Sequence, residues 1–265
     1  ALNNDRGLTA FIVGDSPMRL TPDATTLNEW GNNVNLAVED NDNGLVSRDE
    51  YLGVFYPSLF TSDNAGNNVV VPASHGILRT LALSDQVSFP WFAPAGTRRG
   101  GISNASAAGY IDSEGEFVSV ALNEGQRDTL YSLNVNPITF LTGAGLVNFG
   151  QKTRARNASA LDRINVARLV IFLRSQLNKL AKPFIFEPND KITRDEMKQQ
   201  VDALLLELVG QRALYDFLVV CDESNNTPNR IDRNELHVDI AIEPVKAVEF
   251  IYIPLRLKNT GEIAG

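Results

Sequence analysis

The chain has 265 residues, 43% of them hydrophobic and 21% charged, which suits one large or two small soluble globular domains and excludes a disordered polypeptide. Its formal net charge of −8 argues against a general nucleic-acid binder, and no apolar run reaches the roughly 18 residues that cross a bilayer. A single cysteine, Cys221, excludes an internal disulfide framework and fits a reducing cytosol. The opening Ala1-Leu2-Asn3-Asn4, without Met or a signal-peptide pattern, reads as a fragment or processed product.

Leu8 to Val13 is an apolar run closed by Gly14-Asp15-Ser16-Pro17, predicting a buried strand and a turn. Thr21-Pro22-Asp23 predicts a helix start, with the helix running to about Gly31. Tyr51 to Tyr56 predicts a second strand with a hard stop at Pro57, and Val69 to Val71 leads into a loop and a short helix around His75 to Leu81. Strand alternating with helix is the rhythm of an α/β domain. The pattern loosens between Phe89 and Leu146, where only Asp112 to Val120 reads as a short strand; Asn134 to Pro137 reads as a boundary.

The clearest helix is Asp162 to Lys182, capped by Ser159 and stopped by Pro183. Val166, Leu169, Val170, Leu173, Leu177 and Leu180 share one stripe about 100° wide. Arg163, Arg168, Arg174, Lys179 and Lys182 lie on the other side, with Ile164 and Ile171 projecting from the middle of that basic face. A face of that kind either packs beneath a neighbouring segment of its own domain or meets an acidic partner. A capping box of Thr193 and Glu196 starts a second helix running to about Val209, followed by a short strand at Phe217 to Cys221. Leu236 to Glu243 alternates as a half-buried strand, and Val248 to Leu257 reads as another, interrupted by Pro254.

Two metal readings fall short on residue chemistry. Glu39 to Glu50 approximates a calcium loop, with Gly44 at the turn and Glu50 at the last ligand position, but Glu39 replaces the usual Asp and a strand follows it. One cysteine and two distant histidines cannot build a structural zinc site. Neither a metal nor another cofactor is expected.

Several short tags occur in a shared order: Pro72-Ala73-Ser74-His75-Gly76, Phe92-Ala93-Pro94-Ala95-Gly96, Ile164 to Leu169, Phe186-Glu187-Pro188-Asn189-Asp190, Val220-Cys221-Asp222 with Asn226-Thr227, and Leu236 to Ile251. In these the chain resembles the contractile phage tail sheath proteins, over nearly its whole length. The resemblance implies an α/β fold with mixed sheets and flanking helices in two units: a subtilisin-like, non-catalytic domain over 1–132, incomplete at its N-terminus, and a sheath C-terminal domain over 133–265. It also implies a structural role in the virion tail, assembled in the host cytoplasm. Such subunits polymerise around a tail tube and contract to drive it through the host envelope for genome ejection. The implied partners are other sheath subunits, the tube protein, and baseplate and tail terminator proteins, without direct nucleic-acid contact or membrane insertion.

Family subunits exchange terminal arms that add strands to a neighbour's sheet, which assigns Val248, Phe250, Tyr252, Leu255 and Leu257 to inter-subunit strand exchange. Arg163, Arg168, Ile171, Arg174, Lys179 and Lys182 are the expected subunit or tube interface. The alternative is a degenerate subtilisin-like hydrolase, because Asp15 and His75 stand in the subtilase order. The nearest counterpart of its nucleophile turn, Gly96-Thr97-Arg98-Arg99-Gly100, carries Arg98 where the serine belongs. No catalytic residue is therefore expected.

Overall fold

Residues 8–32 and 48–252 are described by a computed structural model. Ile12–Asp15 (β1) leads to Ala24–Asn32 (α1), whose first turn is capped by Asp23 accepting from the Thr26 N–H at 2.8 Å. Leu52–Tyr56 (β2) runs across Pro57 into Ser58–Ser62 (β3), so the expected stop is a corner at which the chain passes from one sheet to another. Asn68–Val71 (β4) precedes Ala73–Val87 (α2), which is longer than the short helix expected there. Gly96–Arg99 (α3), Ala107–Ile111 (β5), Phe117–Ser119 (β6) and Glu124–Ser132 (α4) follow. Of these, β5 and α4 have no strong sequence signal: α4 buries only Leu130, so it carries no apolar stripe to read. Its capping box, Asn123 with Gln126, is the cue that marks its start.

Val135–Leu141 (β7) and Gly145–Asn148 (β8) complete a sheet of order β1-β2-β7-β8, in which β1, β2 and β7 run parallel and β8 is antiparallel. The expected boundary after residue 132 is thus crossed by a sheet, because β7 pairs directly with β2. Asn136, fully buried, reinforces this join. Its amide nitrogen reaches the Val54 and Lys152 carbonyls at 3.1 and 2.8 Å, and its carbonyl accepts from the Lys152 N–H at 2.7 Å. A second, antiparallel sheet has the order β4-β3-β5-β6. One core packs α1 and α4 on the first sheet around Leu27, Trp30, Tyr56 and Leu130; another joins both sheets to α2 around Phe55, Leu59, Ile77 and Ile138.

The third core is built by Ile164–Ala181 (α5), Lys191–Gly210 (α6), Leu214–Val220 (β9) and Asp239–Pro244 (β10), with Pro228–Asp232 (α7) in the connection. Ser159 caps a 3-10 turn at Ala160–Asp162, and the α-helix itself starts at Ile164. In α6 the cap is Asp190, accepting from the Thr193 N–H at 2.9 Å, rather than the expected Thr193, which is buried inside the helix. Trp91 inserts from the first half of the chain into this core and donates to the Gln211 carbonyl at 3.1 Å. Residues 245–252 do not form the expected strand. They leave β10 with the Val245 N–H donating to the Ala213 carbonyl at 3.0 Å, and from there on Glu249 supplies the polar contacts through its side chain. Leu255 and Leu257 lie outside the described residues.

Candidate functional site

Past Val245, whose N–H donates to the Ala213 carbonyl, the departing segment is tied to the body through the Glu249 carboxylate. Glu249 accepts from Arg163 Nε at 2.6 Å and Nη2 at 3.0 Å, from Gln151 Nε2 at 3.0 Å, and from the Tyr131 hydroxyl. Arg163 stands at the N-cap of α5, Tyr131 near the end of α4, and Gln151 just after β8, so three elements converge on one residue. Burial pushes the Glu249 carboxyl up, but the hydrogen bonds from Arg163, Tyr131 and Gln151 outweigh it and hold the group below the usual glutamate range. Lys152 adds its ammonium 3.7 Å from the centre of the Tyr131 ring and donates to the Tyr131 carbonyl at 2.8 Å. This anchor was not legible as a site in the sequence. The available signal was a carboxylate standing alone in the apolar run Val248 to Tyr252.

Beyond the anchor the segment is bare. Val248, Phe250 and Tyr252 are 79%, 66% and 88% exposed, although the Phe250 ring meets the edge of Tyr131. Continuous exposed apolar surface of this kind is uncommon unless another molecule covers it. Next to it, β9 and β10 form a two-stranded antiparallel sheet with no third strand on either side among the described residues. Its inner face buries Val219 and packs the half-buried Ile240 and Ile242 against the core that α5 and α6 build. On its outer face Asp216 stands opposite Glu243, a like-charged pair that weakens an isolated ladder.

The basic face of α5 divides. Arg163 is engaged with Glu249, and Arg168 forms an ion pair with Asp85 of α2, its side chain only 11% exposed. Arg174 lies over the Tyr51 ring, 5.5 Å from its centre. Ile164 is fully buried in the core between the sheets, and Ile171 lines a groove beside α2. Lys179 and Lys182 alone of the five cations are exposed. Much of the expected interface is therefore an internal seam joining α5 to the first half of the chain, since α2 and β2 lie against that face.

Asp15 accepts from both the N–H and the hydroxyl of Ser74, at 2.6 and 2.7 Å, and so caps the start of α2 across the fold. Both its oxygens are committed to that cap, and His75 is exposed. This geometry serves helix capping rather than proton relay. Cys221 is a buried free thiol whose pKa is raised by burial, which suits an inert core residue. No group of acidic, histidine or cysteine side chains among the described residues could hold a metal ion; the calcium-loop-like run lies mostly outside them. No helix of the described residues is long and apolar enough to cross a membrane.

Residues 157–258 match the family model described as the phage tail sheath C-terminal domain. The chain is 40% identical over 181 residues to a tail sheath protein of Vibrio phage KVP40, covering 68% of this chain and 26% of that protein. It is 34% identical over 191 residues to a tail sheath protein of Enterobacteria phage T4, covering 72% and 28%. The chain therefore spans about a quarter of the length of the curated relatives it matches. Among solved structures, the fold resembles a PVC sheath complex of an extracellular contractile injection system in its contracted state. The TM-score there is 0.73 at 17% identity, with 95% of this chain and 64% of that one covered. It also resembles the contracted helical sheath of the anti-feeding prophage, with a TM-score of 0.69 at 20% identity over 96% and 72% of the two chains. The family-model match over residues 157–258, together with these tail sheath relatives, makes this chain a member of the contractile phage tail sheath protein family, a family of structural proteins rather than enzymes.

Proposed function

We propose that this chain is the C-terminal portion of a sheath subunit that polymerises around a tail tube and, on contraction, drives the tube through the host envelope for genome ejection. The observation that carries this reading is the two-stranded β9–β10 sheet, open at both edges among the described residues, inside the region that matches the sheath C-terminal domain. An open edge accepts strands through main-chain hydrogen bonds, a link that survives when subunits rotate against one another. The exposed Val248, Phe250 and Tyr252, held at a defined exit by Glu249, are the counterpart: the start of an arm that reaches a neighbouring sheet.

Lys179 and Lys182 remain as a releasable polar contact, and an acidic surface such as that around Asp216 and Glu243 on a neighbour would suit them. Baseplate, tube and terminator proteins are the further partners in this reading, with assembly in the host cytoplasm and the virion tail as destination. The division expected after residue 132 is proposed instead near residues 149–157. It is supported there by the pairing of β7 and β8 within the first sheet and by the family match starting at residue 157. Electron microscopy of the full-length subunit tests the function: hollow striated cylinders are expected, and a protein that stays monomeric at high concentration, with or without tube protein, overturns it.

A further inference from the structure

We propose that the turn between α5 and α6 is a knob that seats in a pocket of a second copy of this chain, the pocket lying between α4 and the segment that leaves β10. The inference rests on the polymerising role proposed above and names one contact of that polymer.

The knob is built against its own backbone preference. Lys182–Phe184 forms a 3-10 turn, after which Ile185 and Phe186 stand 60% and 101% exposed. Phe186 has a φ of 78°, a left-handed conformation that a bulky residue adopts only at a cost. An aromatic ring is thus held clear of the protein at a penalty that no burial among the described residues offsets. Pro183 and Pro188 bracket the turn and limit the backbone freedom that docking removes.

The pocket has a volume of about 350 Å³ and is walled by Ala95, Pro137, Phe149, Val248 and Phe250, an apolar seat for the two side chains. Gln151 lines it as well. This residue is 5% exposed and gives Nε2 to Glu249, while its buried Oε1 has no donor among the described residues. A buried acceptor left unpaired is costly, and an N–H on an incoming loop satisfies it. Glu124 and Asp128, one turn apart on α4, place two exposed carboxylates at the pocket, and Lys182 brings an exposed ammonium beside the knob. Arg127, between them in sequence and with its guanidinium 5.5 Å from the centre of the Phe149 ring, matches Glu187. Asp216 and Glu243 offer Lys182 charge alone, whereas this pocket offers charge and an apolar seat together.

The occupant is a second copy because knob and pocket lie at opposite ends of α5. Arg163 at its start holds Glu249 in the pocket wall, and the knob follows its last residue. The 18 residues between span about 27 Å at 1.5 Å each, so the helix keeps the knob out of its own chain's pocket. Two different patches meet in such a contact, which is therefore head-to-tail, and its repetition produces a ring or a helical filament.

Photo-crosslinking tests the contact in the full-length protein, with p-benzoylphenylalanine in place of Phe186 so that an aromatic knob is kept. In assembled cylinders irradiation should give a ladder of dimers, trimers and longer species, and the dilute monomer should give none. Mass spectrometry should place the bonds among pocket residues 93–96, 124–131, 149–151 and 247–250. Bonds to any other surface of the subunit, to tube protein or to another tail protein overturn the proposal, as do cylinders that give no ladder. Lys182→Glu should raise the concentration needed for cylinders by about tenfold, and Glu124→Lys with Asp128→Lys in the same chain should restore it. An unchanged threshold in Lys182→Glu overturns the proposal, and so does rescue by Asp216→Lys with Glu243→Lys instead. A parent protein that forms no cylinders overturns this contact together with the polymer, whereas cylinders without these bonds overturn the contact alone.

Discussion

Arg163 and Glu249, 86 residues apart, are joined by two hydrogen bonds of 2.6 and 3.0 Å that fix where the chain leaves the body after β10. The guanidinium sits at the start of α5 and the carboxylate in a segment with no ladder of its own, so this pair, with Tyr131 and Gln151 beside it, sets the direction in which the chain leaves. Bidentate geometry matters here because two parallel bonds restrain rotation as well as distance.

Arg163→Met should therefore loosen residues 246–252 and lower stability by about 2 kcal/mol, the range for a charge-assisted pair that leaves its partly buried partner unmatched. Denaturant unfolding measures the loss, and hydrogen exchange at Lys246 to Ile251 should rise with it. Unchanged exchange in that segment would show that the pair does not hold it.

The same anchor should be sensitive to acid. Glu249 titrates below the ordinary glutamate value in the folded chain. A depressed folded pKa contributes stability that is complete above the unfolded value and disappears as pH falls through the folded one. Its contribution should therefore be intact at neutral pH and lost progressively as pH drops below about 4.3, the ordinary glutamate value. Comparing stability against pH for the parent and Glu249→Gln isolates this: the difference between them should shrink as acid protonates the parent carboxylate.

Arg168 is a structural residue of the α2–α5 seam. Arg168→Glu would set a carboxylate against Asp85 and should cost about 1–2 kcal/mol, with partial recovery in the Asp85→Lys, Arg168→Glu double variant. Lys179→Glu with Lys182→Glu should leave stability within about 0.5 kcal/mol, since both side chains are exposed. Thermal unfolding of these variants checks both statements.

Val248→Asp, Phe250→Asp and Tyr252→Asp should leave the fold of the monomer unchanged, because these side chains are exposed. The proposed strand exchange predicts that in the full-length protein the triple variant fails to form long cylinders, since it would bury charges at the receiving sheet. Sedimentation and electron microscopy read the two effects separately.

The sequence alone determined the elements that carry their own periodicity. The apolar stripe of α5 (Val166, Leu169, Leu173), the alternation that builds β10, and the all-apolar β2 each bury a regular face, and local spacing reports that face directly. The family resemblance was legible for the same reason, because short tags keep their order along a chain. Only the tertiary structure decided which cations were free. Arg163, Arg168 and Arg174 share a helix face with Lys182, yet Glu249, Asp85 and Tyr51 come to meet the first three from 86 residues downstream and from the opposite half of the chain. It also decided that β7 belongs to the first sheet and that Glu249 is an anchor rather than a strand residue. Pairing across such distances depends on where the chain returns in space, and side-chain period along one helix or strand contains no information about that.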